Sequence, residues 1–386
     1  MAAEHRLPAK EDRRPARAGE SVDYPFLFLM LLVLAAGLIM LWSASYAQSE
    51  YDTGYTDSGR YLRKQAVCAA IGIAAMVFFS RIPAGFWYRA AWPLYGISIV
   101  LLLSVLLIGQ EVNGAKRWIN IAGIQFQPSE VAKFAQIVLF ARLTRHFGPE
   151  ARTFRYGVLG FGVALMGILV PLALEKHLSA IMLMGMVAVV MMFVAGTRMK
   201  WLLAGAGVAV VFVVIYISFM GYAGDRVTAW LHPEQDPGDT GYQILQSLYA
   251  IGSGGLFGLG WGKSRQKYLY LPFQYNDYIF AICCEELGLM GAAGIMLLFA
   301  ALITRGYWIA LRAADRFSTV LAAGLTTLIA VQTILNLGVV TNLLPSTGIA
   351  LPFFSYGGTA LAVNLGEMGI LLSISRQRNL RKIQEA

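Results

Sequence analysis

The chain is dominated by a succession of apolar runs, near residues 25–46, 65–80, 86–109, 128–144, 156–172, 178–195, 201–220, 278–303, 318–342 and 360–375. Crossing a bilayer takes roughly 20 mostly apolar residues. In hydrocarbon every backbone N–H and C=O must be bonded within the protein, so continuous apolar runs of this length cross as helices. The expected fold is all-α: a polytopic membrane protein with about ten transmembrane helices and a long extracytoplasmic loop between spans seven and eight. The fourth run, from Pro128, is the most polar of the ten. Of the 386 residues, 57% are hydrophobic and 14% charged, against roughly 45–50% and about 25% in soluble domains. Cys68, Cys283 and Cys284 lie inside apolar runs, which excludes a disulfide framework and a CxxC metal site.

Residues 1–23 are polar, of mixed charge and carry Pro8 and Pro15, so they read as a disordered cytoplasmic tail. Residues 24–376 form the membrane domain and 377–386 a basic cytoplasmic tail. The first apolar run is too long for the core of a cleaved signal peptide and is expected to stay as span one. Ten spans put both termini on one side. That side carries 20 of the Lys and Arg residues and the other 10, with Lys133 inside a span. Basic residues concentrate in cytoplasmic loops, so both termini are expected in the cytoplasm. The same pattern accounts for the net charge of +9. No basic stripe interleaved with aromatics marks a nucleic-acid surface.

Three outer segments then carry the unusual residues: 110–127, 221–277 and 343–359. In the first, Lys116 and Arg117 beside Trp118 suit either a lipid phosphate or an ordinary interfacial anchor. Glu130 and Lys133, at i and i+3, can pair where span four begins. The second segment holds Arg226, Gln243, Ser247, a glycine stretch over 252–262, then Lys263, Arg265 and Lys267. Gly262-Lys263-Ser264 is no P-loop, because the required first glycine falls on Phe257. A glycine-rich backbone beside three cations could still cradle a phosphate, or simply pack. Asp277 stands where this polar loop meets a span, a partly desolvated position that suits either catalysis or helix capping. Glu286 lies deeper and is expected to pair with Lys133 or Arg265. In the third segment Pro345, Gly348, Pro352, Gly357 and Gly358 break any helix. Non-helical backbone at membrane depth needs protein cover or a polar cavity. Ser355, with Asn336, Asn364 and Glu367 on the flanking spans, would line that interior.

Taken together, the segments NGAKRWIN, QPSEVAK, GYQILQSLYAIGSGGLFGLGWGKSRQKYLYLP, DYIFAICCEELGLMG and LPSTGIALPFFSYGGTAL resemble the shape, elongation, division and sporulation (SEDS) family of bacterial cell-wall polymerases. The likeness runs from about residue 24 to 376. The forms SRQKYLYLP and TGIALPFFSYGGTAL look more like the division member FtsW and its sporulation relative than the elongation member RodA. The resemblance implies a multi-pass protein of the bacterial cytoplasmic membrane. It also implies a peptidoglycan glycosyltransferase that polymerises lipid II at the outer face, beside a class B penicillin-binding transpeptidase and other divisome or elongasome proteins. The family's catalytic aspartate falls on Asp277. Phe273, Tyr275 and Asn276 stand where the family usually has Glu, His and Thr. Glu175-Lys176-His177-Leu178-Ser179 replaces a common Gln-Pro-Asp-Leu-Gly.

The implied reaction joins an acceptor sugar hydroxyl to the anomeric carbon of an undecaprenyl-linked glycan chain. One carboxylate suffices as general base, a role that falls to Asp277. The leaving pyrophosphate calls for fixed cations or a divalent ion, Mg²⁺ or Mn²⁺, for which no ligand set stands out. Lys116, Arg117, Arg226, Lys263, Arg265 and Lys267 are the candidate cations, with Lys116 and Lys267 the preferred pair. Trp118, Gln243, Ser247 and Ser355 are further substrate contacts. Glu130, Lys133, Glu286 and Asn364 are polar residues of the interior. The rival readings are a lipid II flippase, for which the buried Glu130, Lys133, Asn364 and Glu367 would form a transit path, and a noncatalytic scaffold.

Overall fold

The computed structural model describes residues 22–112, 115–121, 124–205, 207, 226, 228–235 and 240–377. Nine of the ten apolar runs are helices: α1 (Tyr24–Asp52), α2 (Arg60–Phe79), α3 (Ala84–Ile108), α4 (Pro128–Phe147), α5 (Phe161–Leu174), α6 (Leu178–Val194), and, after α7 (Thr240–Gly254) in the long loop, α8 (Ile279–Leu311), α9 (Arg316–Val340) and α10 (Gly358–Gln377). Most of the seventh run, 201–220, lies outside the described residues, though 201–205 is helical. Among the described residues, seven helices are long and apolar enough to cross a membrane. In α4 almost every residue from Pro128 to Thr144 is buried. It packs against α3, α6 and α9. Its surroundings are protein, so its polar residues find partners there instead of facing lipid.

Asp23, assigned by composition to the disordered tail, is instead built into the bundle. Its carboxylate caps α1 by accepting from the Phe26 N–H at 3.1 Å and pairs with Arg305 of α8 at 2.9 Å. The Asp23 N–H donates to Ser375 Oγ of α10. Aspartate is a strong N-cap because its side chain satisfies an otherwise orphaned N–H. The same clip fixes three helix ends together. Next to it, α2 runs against α10 so closely that a β-carbon on Gly369 would overlap the Met76 carbonyl oxygen. Backbones pack this tightly in membranes only through small residues.

The opposite end of the bundle carries a feature absent from the sequence reading. Residues of segment 110–127 form a three-stranded antiparallel sheet, β1 (Gln110–Val112), β2 (Ala115–Ile121) and β3 (Ile124–Phe126), in the order β1-β2-β3. We refer to this as the sheet end.

At the sheet end α8 breaks at Gly288, whose φ of +67° and ψ of −171° are not helical. The break strands the carbonyls of Glu285 and Glu286 and the N–H groups of Leu289 and Met290, which must be satisfied elsewhere. The glycine stretch supplies all four partners. Leu259 and Gly260 donate to the Glu285 and Glu286 carbonyls at 2.9 and 3.0 Å, and the Leu289 and Met290 N–H groups reach the Gly255 and Leu256 carbonyls at 2.9 and 3.1 Å. A β-carbon at Gly258 or Gly288 would come within 2.2 Å of the facing backbone. The glycines therefore serve chain packing, and the N–H groups of Leu259 and Gly260 are not open to a phosphate.

Candidate active site

The long loop is fastened to α8 by two adjacent carboxylates. Glu285 accepts from the Ser264 hydroxyl and from the Arg265 and Gln266 N–H groups. Glu286 is fully buried and accepts from Lys267 Nζ at 3.0 Å, while Ser43 Oγ of α1 lies 2.7 and 2.8 Å from its two oxygens. Lys267 also donates to Ser43 Oγ at 3.1 Å and to the Gly262 carbonyl at 2.6 Å. Two expectations are corrected here. Lys267 is not an outer-face cation for substrate, since it is buried and its donors are used within the protein. Glu286 is structural, but its partner is Lys267 and not Lys133 or Arg265. Lys133 pairs with Glu130 at 2.7 Å inside the bundle.

Beyond this clamp the loop returns to Asp277, which precedes α8. The helix is capped by Tyr278 without a side-chain bond, so Asp277 is not its N-cap. The Asp277 carbonyl is held by Asn336 of α9, whose amide nitrogen donates to it at 2.7 Å and to the Ile349 carbonyl at 2.9 Å. This places the Asp277 carboxylate against Gly348, where a β-carbon would lie 3.3 Å from Oδ2. Arg226 is the nearby charge, and its Nη1 donates to the Ser346 carbonyl at 2.9 Å. Among the described residues the Asp277 carboxylate makes no hydrogen bond within the protein, and it is only partly covered. Burial pushes its pKa up to about 6, and the Arg226 guanidinium acts in the opposite direction.

Left-handed backbone recurs around this point at Leu269, Phe273, Asn342 and Phe353. Such residues each cost on the order of 1–3 kcal/mol and persist where surrounding contacts over-determine them. Some of those contacts come from Ser355. It is buried, donates to the Asn276 carbonyl at 2.7 Å and accepts from the Leu351 N–H at 2.8 Å. The Tyr356 N–H reaches the Tyr275 carbonyl at 2.9 Å. Ser355 thus positions the loop instead of meeting substrate, a correction to the sequence reading. The same holds for Ser247, which is fully buried on α7 and donates to the Val340 carbonyl at 2.8 Å.

The remaining candidates sit as follows. Lys116 on β2, Lys263 and Arg265 are exposed, and Trp118 and Gln243 are half-buried. Arg117 reaches across the sheet end to the Lys176 carbonyl at 2.6 Å. It thereby joins the turn bearing Glu175 and His177, both buried. Burial pushes the Glu175 carboxyl up to about 8, with Arg117 opposing. Burial, helped by Arg117 and Lys133, lowers the His177 imidazole to about 3. Asn364 is buried on α10. Among the described residues no group of three or more His, Cys, Asp or Glu side chains could hold a metal ion. The sequence reading missed Ser43, Glu285 and the positioning role of Asn336. The one signal for Ser43 was the Ser-Ala-Ser interruption in an otherwise apolar first span.

This fold and site define a multi-pass membrane protein that gathers a half-covered carboxylate and several cations at one end of its bundle. The chain belongs to the FtsW, RodA and SpoVE family: the family model described as "Cell cycle protein" matches residues 24–380. It is 38% identical over 365 residues to a probable peptidoglycan glycosyltransferase FtsW of Trichlorobacter lovleyi, covering 94% of this chain and 95% of that one. It is 39% identical over 359 residues to the stage V sporulation protein E of Bacillus subtilis, covering 92% and 97%. Among solved structures it resembles a chain from a peptidoglycan synthase complex in which polymerisation and crosslinking are coordinated, with a TM-score of 0.79, 27% identity and coverage of 93% and 98%. It also resembles Thermus thermophilus RodA, with a TM-score of 0.69, 26% identity and the same coverage.

Proposed function

We propose that this chain is a peptidoglycan glycosyltransferase that polymerises lipid II at the outer face of the bacterial cytoplasmic membrane, with Asp277 as general base. The sheet end is then extracytoplasmic and both termini are cytoplasmic, as the asymmetry of basic residues indicates. The observation that carries the reading is the Asp277 carboxylate. It is half-covered, unbonded, and raised to about 6, which leaves it ionised near neutrality yet basic enough to take a proton.

In the reaction, Asp277 accepts the proton of the acceptor sugar's 4-hydroxyl as that oxygen bonds to the donor's anomeric carbon. The bond from that carbon to the pyrophosphate breaks, and undecaprenyl pyrophosphate leaves with the electron pair. Displacement from the opposite face inverts the α-linked donor to a β-linkage and needs no second carboxylate, in contrast to the paired carboxylates of glycosidases. The leaving group gains negative charge, which Arg226 and the exposed Lys116, Lys263 and Arg265 are suited to stabilise. The described residues assemble no donor set for a divalent ion, so no step is routed through one. The likeness to a synthase-complex chain supports a transpeptidase of the class B penicillin-binding type as partner.

The test is to give purified protein labelled lipid II and divalent cation, with and without the transpeptidase, and to resolve glycan length for wild type and Asp277→Asn. Chains that vanish in a folded variant support the polymerase and its base. Equal chains from both remove Asp277 from that role. No chains even with the partner present favour the flippase or scaffold.

A further inference from the structure

The end of the bundle opposite the sheet carries a groove that the reaction does not use. It is an open groove between the start of α1 and the second half of α8, about 560 Å³ in volume, walled by Pro25, Leu29, Leu297 and Ala301. These are apolar residues facing outward from the bundle, and Leu297 is 69% exposed. The groove closes on a basic and aromatic rim formed by Arg305 and Trp308. The guanidinium carbons of Arg305 and Arg312 lie 3.8 and 3.7 Å from the Trp308 ring centroid. Arg305 and Trp308 lie in the last two turns of α8, and Arg312 is the residue that caps its C-terminus. The negative end of the helix dipole further favours cations there.

We propose that this groove is a binding site for a phospholipid with an anionic headgroup. Stacking on an indole uses the flat face of a guanidinium and spares its in-plane N–H donors, which in Arg312 can meet phosphate oxygens. The charge balance favours an anion. Asp23 takes Arg305 in two bonds, Nε to Oδ1 at 2.9 Å and Nη2 to Oδ2 at 3.0 Å. Among the described residues no carboxylate forms an ion pair with Arg312, which is exposed. One positive charge is therefore left at the end of an apolar groove. Trp308 is near the C-terminal end of α8, a place in a spanning helix that suits tryptophan at the headgroup layer, and a basic pocket between spans at such a boundary is a recognised form of headgroup site. The acyl chain lies along Leu29, Leu297 and Ala301, the phosphate on Arg312 and Arg305. Because the Asp23–Arg305 bonds also hold α1 to α8, the bound lipid rests on the clip that joins spans one, eight and ten.

Native mass spectrometry of the delipidated full-length chain in detergent, titrated with phosphatidylglycerol or phosphatidylcholine of matched acyl chains, tests this. The wild type is expected to take its first phosphatidylglycerol at a concentration at least about five-fold below that for phosphatidylcholine. The preference should weaken as salt rises, because the rim is exposed to solvent. Arg312→Gln should reduce the preference to less than about two-fold, and Ala301→Phe, which fills the groove, should weaken both lipids alike. Circular dichroism checks that each variant folds. Because Arg312 is exposed, Arg312→Gln decides the matter alone if the other variant does not fold. Equal uptake of both lipids, or a preference that survives Arg312→Gln, overturns the proposal. A dimer mass in lipid-free spectra that Ala301→Phe abolishes also overturns it, and assigns the groove to a second copy.

Discussion

Gly348 stands where any β-carbon would lie 3.3 Å from Oδ2 of Asp277, on backbone whose φ is +67°. The Asp277 carboxylate is thus seated against bare main chain, and a methyl group there would cost twice, in left-handed strain and in displacement of the carboxylate. Gly348→Ala should lower polymerisation at least about ten-fold with the protein still folded. Initial rates on labelled lipid II, beside a thermal melt, measure both.

As the proposed base, Asp277 should set the acid side of the pH profile. A general base must be ionised, so the rate should rise with pH through about 6, the value to which burial pushes this carboxyl. Arg226 opposes the rise, so Arg226→Ala should move the midpoint upward. A profile of kcat/KM between pH 4.5 and 8 reads the shift, and an unchanged midpoint would separate Arg226 from the base.

The pair Lys267 and Glu286 should behave as structure, not as substrate contacts. Removing one partner leaves a buried charge uncompensated, at a cost of roughly 3–5 kcal/mol. Lys267→Met and Glu286→Gln should each lower the yield of folded protein and the melting midpoint. The double variant Lys267→Met with Glu286→Met should recover much of the loss. A single Lys267→Met variant that folds normally and shows only a raised KM would contradict this.

Glu175 gives a pH dependence of stability with a definite sign. Its folded pKa, about 8, lies above the ordinary 4.5, so the native state holds the proton more tightly than the unfolded one. Its contribution is complete below about pH 4.5 and is lost as pH rises through 8. Glu175→Gln should melt like wild type near pH 4.5 and higher than wild type at pH 8.5, a gap on the order of 2–5 kcal/mol. Melting curves at the two pH values decide it.

Asn336 is a positioning residue. Asn336→Leu removes both bonds from its amide nitrogen and should lower kcat more than it raises KM, because Asp277 loses its support while the cations proposed to meet substrate do not move. Kinetics over a lipid II concentration series separate the two effects.

Much of this was legible in the sequence because hydrocarbon leaves so few options. The nine helices described over these runs begin and end within a few residues of them, apart from α1 and α8, which continue past the bilayer length to Asp52 and Leu311. Asp277 was marked by standing as a carboxylate at a loop-to-span boundary. Pairings across the sequence were not legible. Lys267 carries the same composition signal as the exposed Lys263 and Arg265, and only the fold distinguishes the one that enters the bundle to meet Glu286 and Ser43. Ser247 and Ser355 looked equally free for substrate, since a hydroxyl gives no hint in sequence of the carbonyl it will serve. The sheet between α3 and α4 was hidden because its short strands sit among glycines and polar residues that read as loop.

The close seating of α2 on α10 has a consequence for biogenesis. The second span to leave the ribosome finds its principal neighbour in the last, and the Asp23 N–H waits for Ser375, 352 positions later. Insertion and folding are therefore separate events for this chain. Until α10 has been made, α2 must be sheltered by lipid or by the insertion machinery. A message cut short before residue 358 would yield spans that enter the membrane yet never close, leaving an open seam for quality-control proteases to recognise.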